Sequence, residues 1–275
     1  MKKSAFLSIT FLGLLMLCFG YEAFARSSEI EAVTVPLETY LKNHIKGDSK
    51  ELGKAMHTVG KLIYVRDGNY TAVDFPRYLT GWKLRNVNVV TQTRSYIDSI
   101  EVTGDVAIGK LGLAYPGRRF TDYMTLMKID GEWKITNKIA YSVTDPKNSV
   151  AERADLNAIR VPLENYMTGH KTGRAEYMKK AFHTEGKLMS MRSGKFTTLD
   201  FDKFIGYFKG TPAKDEALRK RWIERIDATG NVAIGKIILD YPNVKFTDYM
   251  SLMKFNGEWK IVNKAFYMER KQIAK

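Results

Sequence analysis

The chain is written twice. Displaced by 126 residues, from Val35 to Val161, it lies over itself without a gap. Val35-Pro36-Leu37-Glu38 recurs as Val161-Pro162-Leu163-Glu164, and Lys54-Ala55-Met56-His57-Thr58 as Lys180-Ala181-Phe182-His183-Thr184. Phe120-Thr121-Asp122-Tyr123-Met124 recurs as Phe246-Thr247-Asp248-Tyr249-Met250. The period is far longer than a solenoid unit, so each copy must fold as a domain with its own core. Domains of roughly 115–125 residues are large enough for that.

Residues 1–25 read as a secretory leader. Lys2 and Lys3 precede an apolar run from Ala5 to Phe19, and Ala23-Phe24-Ala25 is a cleavage signal. The apolar run is short for a membrane span. Cys18, the only cysteine, falls within the leader. A chain cleaved after Ala25 therefore holds no disulfide and no thiol chemistry. These features predict a bacterial periplasmic or secreted protein. After the leader, no stretch is long and apolar enough to cross a bilayer. The net charge of +14 comes from lysines and arginines scattered through both copies. That pattern predicts a solvated basic surface and no nucleic-acid partner.

Each copy reads in the same order. In the first, Val33, Leu37, Tyr40 and Leu41 give helical spacing over Ile30–Lys46, ended by Gly47. A shorter helix is predicted over Ser49–His57. Leu62–Val65 and Tyr70–Val73 flank an Asp67-Gly68 turn. Asp74 can cap a third helix reaching Trp82, with Pro76 in its first turn. Lys83–Arg94 has no period and reads as loop. Two strands within Ile97–Tyr115, broken at Thr103-Gly104-Asp105, precede strands at Phe120–Ile129 and Trp133–Tyr141. The expected domains are 28–143 and 154–269, joined by a polar linker at 144–153.

This order predicts an α+β layout in which a curved sheet wraps around helices. The "AMHTVGKL" and "AFHTEGKL" segments and the closing "FTDYMTLMKIDGEWKITNK" and "FTDYMSLMKFNGEWKIVNK" resemble the nuclear transport factor 2-like superfamily. Within it they are most similar to the group labelled putative lumazine-binding proteins. The resemblance covers nearly all of both copies. It implies two tandem cone-shaped domains, each a bent antiparallel sheet wrapped around three helices, with a pocket in its mouth. Relatives of this fold pair sheet to sheet as dimers, which implies an intramolecular pseudo-dimer here. Strand alternation agrees with a second buried face. Phe120, Asp122, Met124 and Leu126 share one side, Tyr123, Met127 and Ile129 the other, and both are partly apolar. In the last strand simple alternation groups Trp133, Ile135, Asn137, Ile139 and Tyr141 against Glu132, Lys134, Thr136 and Lys138.

Candidate site residues come in matched pairs. His57 and His183 are either general acid–base or ligand contacts at the rim, or helix-end groups bonding to the last carbonyls. His44 and His170 read as helix-end structure. Asp122 and Asp248 lie mid-strand among apolar neighbours and must be either paired or raised in pKa. Asn137 and Asn263, with Tyr123 and Tyr249, are candidate ligand contacts. An amide among core side chains must find a partner. No metal-ligand spacing, nucleophile elbow or phosphate loop is present in the sequence, and no cofactor is implied.

Three functions follow as expectations. The first is an exported binding protein whose cones each hold a small aromatic or apolar ligand. The second is a lyase, isomerase or hydrolase pairing His57 with Asp122 and His183 with Asp248 in the cones. It requires each pair to face one cavity. The third is a cell-envelope interaction module without a small ligand. The copies differ most between Lys83–Arg94 and Lys209–Lys220, and Trp82 is replaced by Phe208. Two sites bordered by such segments would prefer different ligands.

Overall fold

A computed structural model describes residues 27–144 and 154–272; the leader and nearly all of the linker lie outside them. In the first domain a helix, α1, spans 27–46. It is followed by α2 (Ser49–Lys54), β1 (Met56–Arg66), β2 (Asn69–Asp74), α3 (Phe75–Thr80) and α4 (Val87–Gln92). Four strands complete it: β3 (Arg94–Thr103), β4 (Val106–Tyr115), β5 (Arg118–Ile129) and β6 (Glu132–Thr144). The second domain repeats this as α5 (Leu156–Thr172), α6 (Ala175–Ala181), β7 (Phe182–Arg192), β8 (Lys195–Asp200) and α7 (Phe201–Ile205). A 3-10 turn at Glu216–Leu218 then leads to β9 (Lys220–Thr229), β10 (Val232–Asp240), β11 (Val244–Phe255) and β12 (Glu258–Arg270).

Each domain holds one six-stranded sheet, ordered β2-β1-β6-β5-β4-β3 and β8-β7-β12-β11-β10-β9. The pairs are antiparallel except β1 with β6 and β7 with β12, which run parallel. The tight turns fall at Asp67-Gly68, Asp130-Gly131, Ser193-Gly194 and Asn256-Gly257. Both residues of each turn have positive φ, the twist-matched hairpin geometry.

Three local readings are corrected. The second helix, opened by the Asp48 side chain accepting from the Glu51 amide, stops at Lys54, so His57 sits on β1 rather than at a helix end. The segment read as loop contains α4, started by Asn86 accepting from the Asn88 amide. The third correction concerns β6. Thr125 pairs with Asn137 but Leu126 pairs with Ile135, so Thr136 is an extra, bulged residue. A bulge reverses which side the following residues face. Trp133 and Ile135 therefore pack inside the cone, while Ile139 packs outside it. Simple alternation had put all three on one face. Val262 bulges in the same way in β12.

Three apolar clusters result. One fills the first cone, joining Val33, Leu37 and Tyr40 of α1 to Leu111, Met124 and Leu126 of the sheet. A second fills the other cone with the matched residues, among them Leu163, Tyr166, Ile237 and Met250. The third lies between the sheets and draws on both domains: Ile108, Tyr123, Met127 and Ile139 meet Ile234, Tyr249, Met253 and Ala265. Polar contacts across this seam are reciprocal, residue for residue. Tyr123 bonds to Thr229 at 3.3 Å as Tyr249 does to Thr103 at 2.7 Å, and Tyr123 also donates to Asp227 at 2.6 Å. Lys110 pairs with Asp227 at 2.8 Å, and Lys236 with Glu101 at 2.7 Å. Gly104 lies under the Tyr267 ring and Gly230 under the Tyr141 ring. Both glycines have positive φ, and a Cβ at either would strike the aromatic ring. Reciprocity of this kind is the mark of a two-fold interface.

Candidate functional site

The first cone is closed at its inner end by three side chains from three elements. Asp122 of β5 is fully buried. Tyr40 of α1 donates its hydroxyl to Asp122 Oδ2 at 3.0 Å. Lys138 of β6 places Nζ 2.7 Å from Asp122 Oδ1. The second cone repeats the cluster. Tyr166 donates to Asp248 Oδ2 at 2.6 Å, and Lys264 Nζ lies 3.0 Å from Oδ1 and 2.7 Å from the Tyr166 hydroxyl. Burial pushes both lysines below the ordinary ammonium value, against the pull of the neighbouring carboxylate. Burial also raises Asp248, opposed by Lys264 and Tyr166. Tyr40 and Tyr166 are driven well above the usual phenol value by burial and the adjacent charge. A buried ion pair of this kind adds little net stability over apolar packing, but removing one partner strands a charge.

One helical turn beyond each tyrosine stands a histidine on the same face. His44 Nδ1 lies 2.6 Å from the Tyr115 hydroxyl, and its ring meets the edge of Trp82. His170 packs against Tyr166 and Phe208, and its Nε2 is buried without a hydrogen-bond partner among the described residues. Desolvation holds both imidazoles well below the normal value, so both are neutral at pH 7.

A cavity opens in front of each cluster. The first, of about 1110 Å³, is walled by His44, Tyr78, Trp82, Arg85, Tyr115 and Lys138, with Arg66 and Arg118 at its rim. The second, of about 580 Å³, is walled by His170, Leu188, Phe204, Phe246, Lys264 and Phe266. Phe266 stands where the first cone has Ala140, which accounts for part of the difference in size.

Of the residues singled out from sequence, Asp122 and Asp248 lie in the cones. His57 and His183 lie at the seam, against rings of the opposite domain: His57 5.0 Å from Phe196, and His183 stacked 3.9 Å from Tyr70. The arrangement that paired His57 with Asp122 and His183 with Asp248 over one cavity is therefore not formed. Asn137, Tyr123, Asn263 and Tyr249 are all buried, with Tyr123 and Tyr249 in the apolar cluster of the seam. Asn137 Nδ2 reaches Ser251 Oγ of the other domain at 3.4 Å. None of the four lines either cone cavity. The bulge at Thr136 is the reason for Asn137: it turns the amide outward and its neighbour Lys138 inward. From the sequence Tyr40 and Tyr166 read as core aromatics and His44 and His170 as helix-end structure, while Lys138 and Lys264 carry no assigned role. Two signals pointed to them. A lysine recurs amid apolar residues in both last strands, and Tyr and His recur four apart on the apolar face of both first helices.

Among the described residues no group of three or more His, Cys, Asp or Glu is placed to hold a metal, and no helix is long and apolar enough to cross a membrane.

Comparison with known proteins matches the two halves separately. The family described as "Putative lumazine-binding" matches residues 28–141 and again 154–267. An aldolase, FrzH, of Cladobotryum sp is 24% identical over 116 residues, 42% of this chain and 91% of that protein. Two solved structures described as NTF2-like proteins of unknown function are similar. One, from Methylobacillus flagellatus KT, is 26% identical with a TM-score of 0.39, covering 44% of this chain and 99% of that one. The other, from Shewanella baltica os155, is 21% identical with a TM-score of 0.37, covering 42% and 95%.

Proposed function

Because this chain belongs, through both of its halves, to the "Putative lumazine-binding" family of nuclear transport factor 2-like domains, we propose that it is an exported protein that binds small molecules, one in each cone. The observation that carries the reading is the pairing of a cavity with a buried polar end in both domains. Aromatic walls supply contact area, and a few placed polar groups, His44 with Tyr115 or the unsatisfied His170, supply orientation. The ligand is accordingly aromatic or apolar with a polar edge. The two domains act as one unit, joined through the reciprocal seam. Export rests on the leader at residues 1–25 and predicts a mature N-terminus at Arg26 in protein recovered from its own host.

The test is native mass spectrometry of that mature protein. A retained small molecule, lost on filling the cavities with Ala140→Trp and Phe266→Trp, supports the reading. A ligand-free mass, together with failure of either cavity to take up an environment-sensitive aromatic dye, sinks it.

A second reading is proton-transfer or lyase chemistry in the cones. It is favoured by the buried Asp122–Tyr40–Lys138 group with His44 one turn away, and by the likeness of one domain's length of chain to a protein described as an aldolase. In this form the histidine partner of Asp122 is His44 rather than His57. Conversion of a component of a host small-molecule extract, abolished by Asp122→Asn with the fold intact, would establish it. An unchanged extract would dismiss it.

A further inference from the structure

The two cones treat the same tyrosine differently. Tyr115 and Tyr241 are matched positions, each near the end of the fourth main strand of its domain. In the second domain two guanidinium groups lie over Tyr241, Arg219 at 4.2 Å and Arg221 at 4.9 Å. Both are neutralised by the chain itself. Glu216 grips Arg221 with two bonds of 2.6 and 2.7 Å, and Asp215 holds Arg219 at 2.8 Å. The Arg221 side chain is only 7% exposed, and Tyr241 is buried. The segment between helix and strand thus inserts a carboxylate onto a cation that sits on an aromatic ring.

In the first domain Arg85 lies 4.7 Å over Tyr115 and 5.0 Å over Trp82. It lines the cavity, and among the described residues no carboxylate lies within ion-pair distance of it. Arg118 lies over Phe120 at 4.7 Å and donates to Ser142 at 3.0 Å, again without an acidic partner. Against these cations the wall offers one exposed carboxylate, Asp67, in the β1–β2 turn. Asp122 at the inner end is committed to Lys138 and Tyr40. The first cone therefore presents a guanidinium on an aromatic shelf with its anion missing, where the second has built the anion in.

We propose that the first cone is a site for a planar aromatic carboxylate, with the Arg85 guanidinium taking the carboxylate that Glu216 supplies internally to Arg221. The second cone keeps its ring-bound arginines paired and outside the cavity wall, where Phe204, Phe246 and Phe266 stand with Arg192 and Arg270. A guanidinium fork matches a carboxylate in two bonds. A stack of guanidinium on tyrosine and tryptophan holds the fork in place before the ligand arrives. This inference rests on the binding reading above and gives one of its sites a ligand class.

The experiment is a fluorescence titration of the full chain with 2-naphthoate and, in parallel, with neutral 2-naphthamide. The expected result is one naphthoate site per chain that weakens about tenfold or more in Arg85→Gln and in the amide, the loss of one charge-assisted bond pair. Arg221→Gln leaves that site unchanged. Arg118→Gln gives a smaller loss in the same direction, and serves where Arg85→Gln is poorly folded. Equal binding of acid and amide, untouched by both arginine variants, overturns the carboxylate preference and leaves the binding reading standing. Failure of both probes to bind anywhere overturns both.

Discussion

The two domains share an inner cluster and differ in what lies in front of it. Tyr40, Asp122 and Lys138 are matched by Tyr166, Asp248 and Lys264 in identity and in geometry. Ahead of them, the first cone has Ala140, Trp82 and an unpaired Arg85, while the second has Phe266, Phe208 and a paired Arg221. The shared part is fastened to the fold from three elements. The divergent part comes mainly from the stretch that follows the third helix, 82–95 in one copy and 208–221 in the other, with Ala140 against Phe266 in the last strand. Loops of this kind tolerate change because little of the core depends on them. A duplicated fold can thus keep its frame and alter its contents.

Substitutions can break this comparison at several strengths. The largest effect is expected at the shared cluster. Lys138→Met leaves a buried carboxylate uncompensated and should cost about 3–5 kcal/mol in a urea titration. Lys264→Met should cost a similar amount. Adding Asp122→Leu to Lys138→Met should recover much of the loss. A single variant within 1 kcal/mol of wild type would show that the cluster is not a dry ion pair.

Next come the arginines that distinguish the cones. Glu216→Ala frees a buried guanidinium and should cost about 1–3 kcal/mol. Arg85→Gln removes no internal ion pair, only its ring contacts, and should cost about 1 kcal/mol or less. Equal losses in thermal unfolding would erase the difference drawn between structural and ligand-facing cations.

Acid sensitivity comes third and should be common to both domains. Burial lowers the folded values of His44 and His170, while the unfolded chain takes up these protons near pH 6.5. Their contribution is complete above that pH. It is lost as the pH falls from about 6.5 toward the depressed folded values, where the unfolded state holds more protons. The urea midpoint should decline over this window, and His44→Asn with His170→Asn should flatten the decline. An unaltered slope in the double variant would place the acid response elsewhere.

A further small effect on stability is expected from Ala140→Phe, which copies the second cone into the first. It fills empty space and should shift unfolding by less than about 1.5 kcal/mol. It should nonetheless reduce naphthoate binding sharply. Binding at wild-type strength would mean that the ligand sits away from Ala140.

Most of the frame is legible in the sequence. The copies, their hairpin turns and the first helix follow from spacing and turn chemistry, which act over a few residues. What escaped was governed by one inserted residue. Strand alternation has a period of two, and a bulge at Thr136 leaves no mark in it, so Asn137 looked inward and Lys138 outward. The role of Tyr40 was hidden by distance instead, since its hydroxyl bonds to a carboxylate 82 positions away. His57 was misplaced for a different reason. The short helix before it ends at Lys54, three residues short of the predicted Ser49–His57, and β1 begins with Met56. His44 carried a usable signal, since it stands four residues after Tyr40 on the helix face that also carries Leu37 and Leu41.

The reciprocal seam has a consequence for how such a protein can change. In a dimer of identical chains, every substitution at the interface is made twice, and both sites inherit every alteration. Here Glu101 and Asp227 hold equivalent stations, as do Tyr70 and Phe196, and yet they differ. Because one chain carries both halves, each meets the other at an effective concentration of order millimolar however dilute the protein becomes. Association therefore no longer depends on expression level. Each half is released from the demand that it suit a copy of itself, and the lining of either cone can change while its body continues to shelter the apolar back of its neighbour.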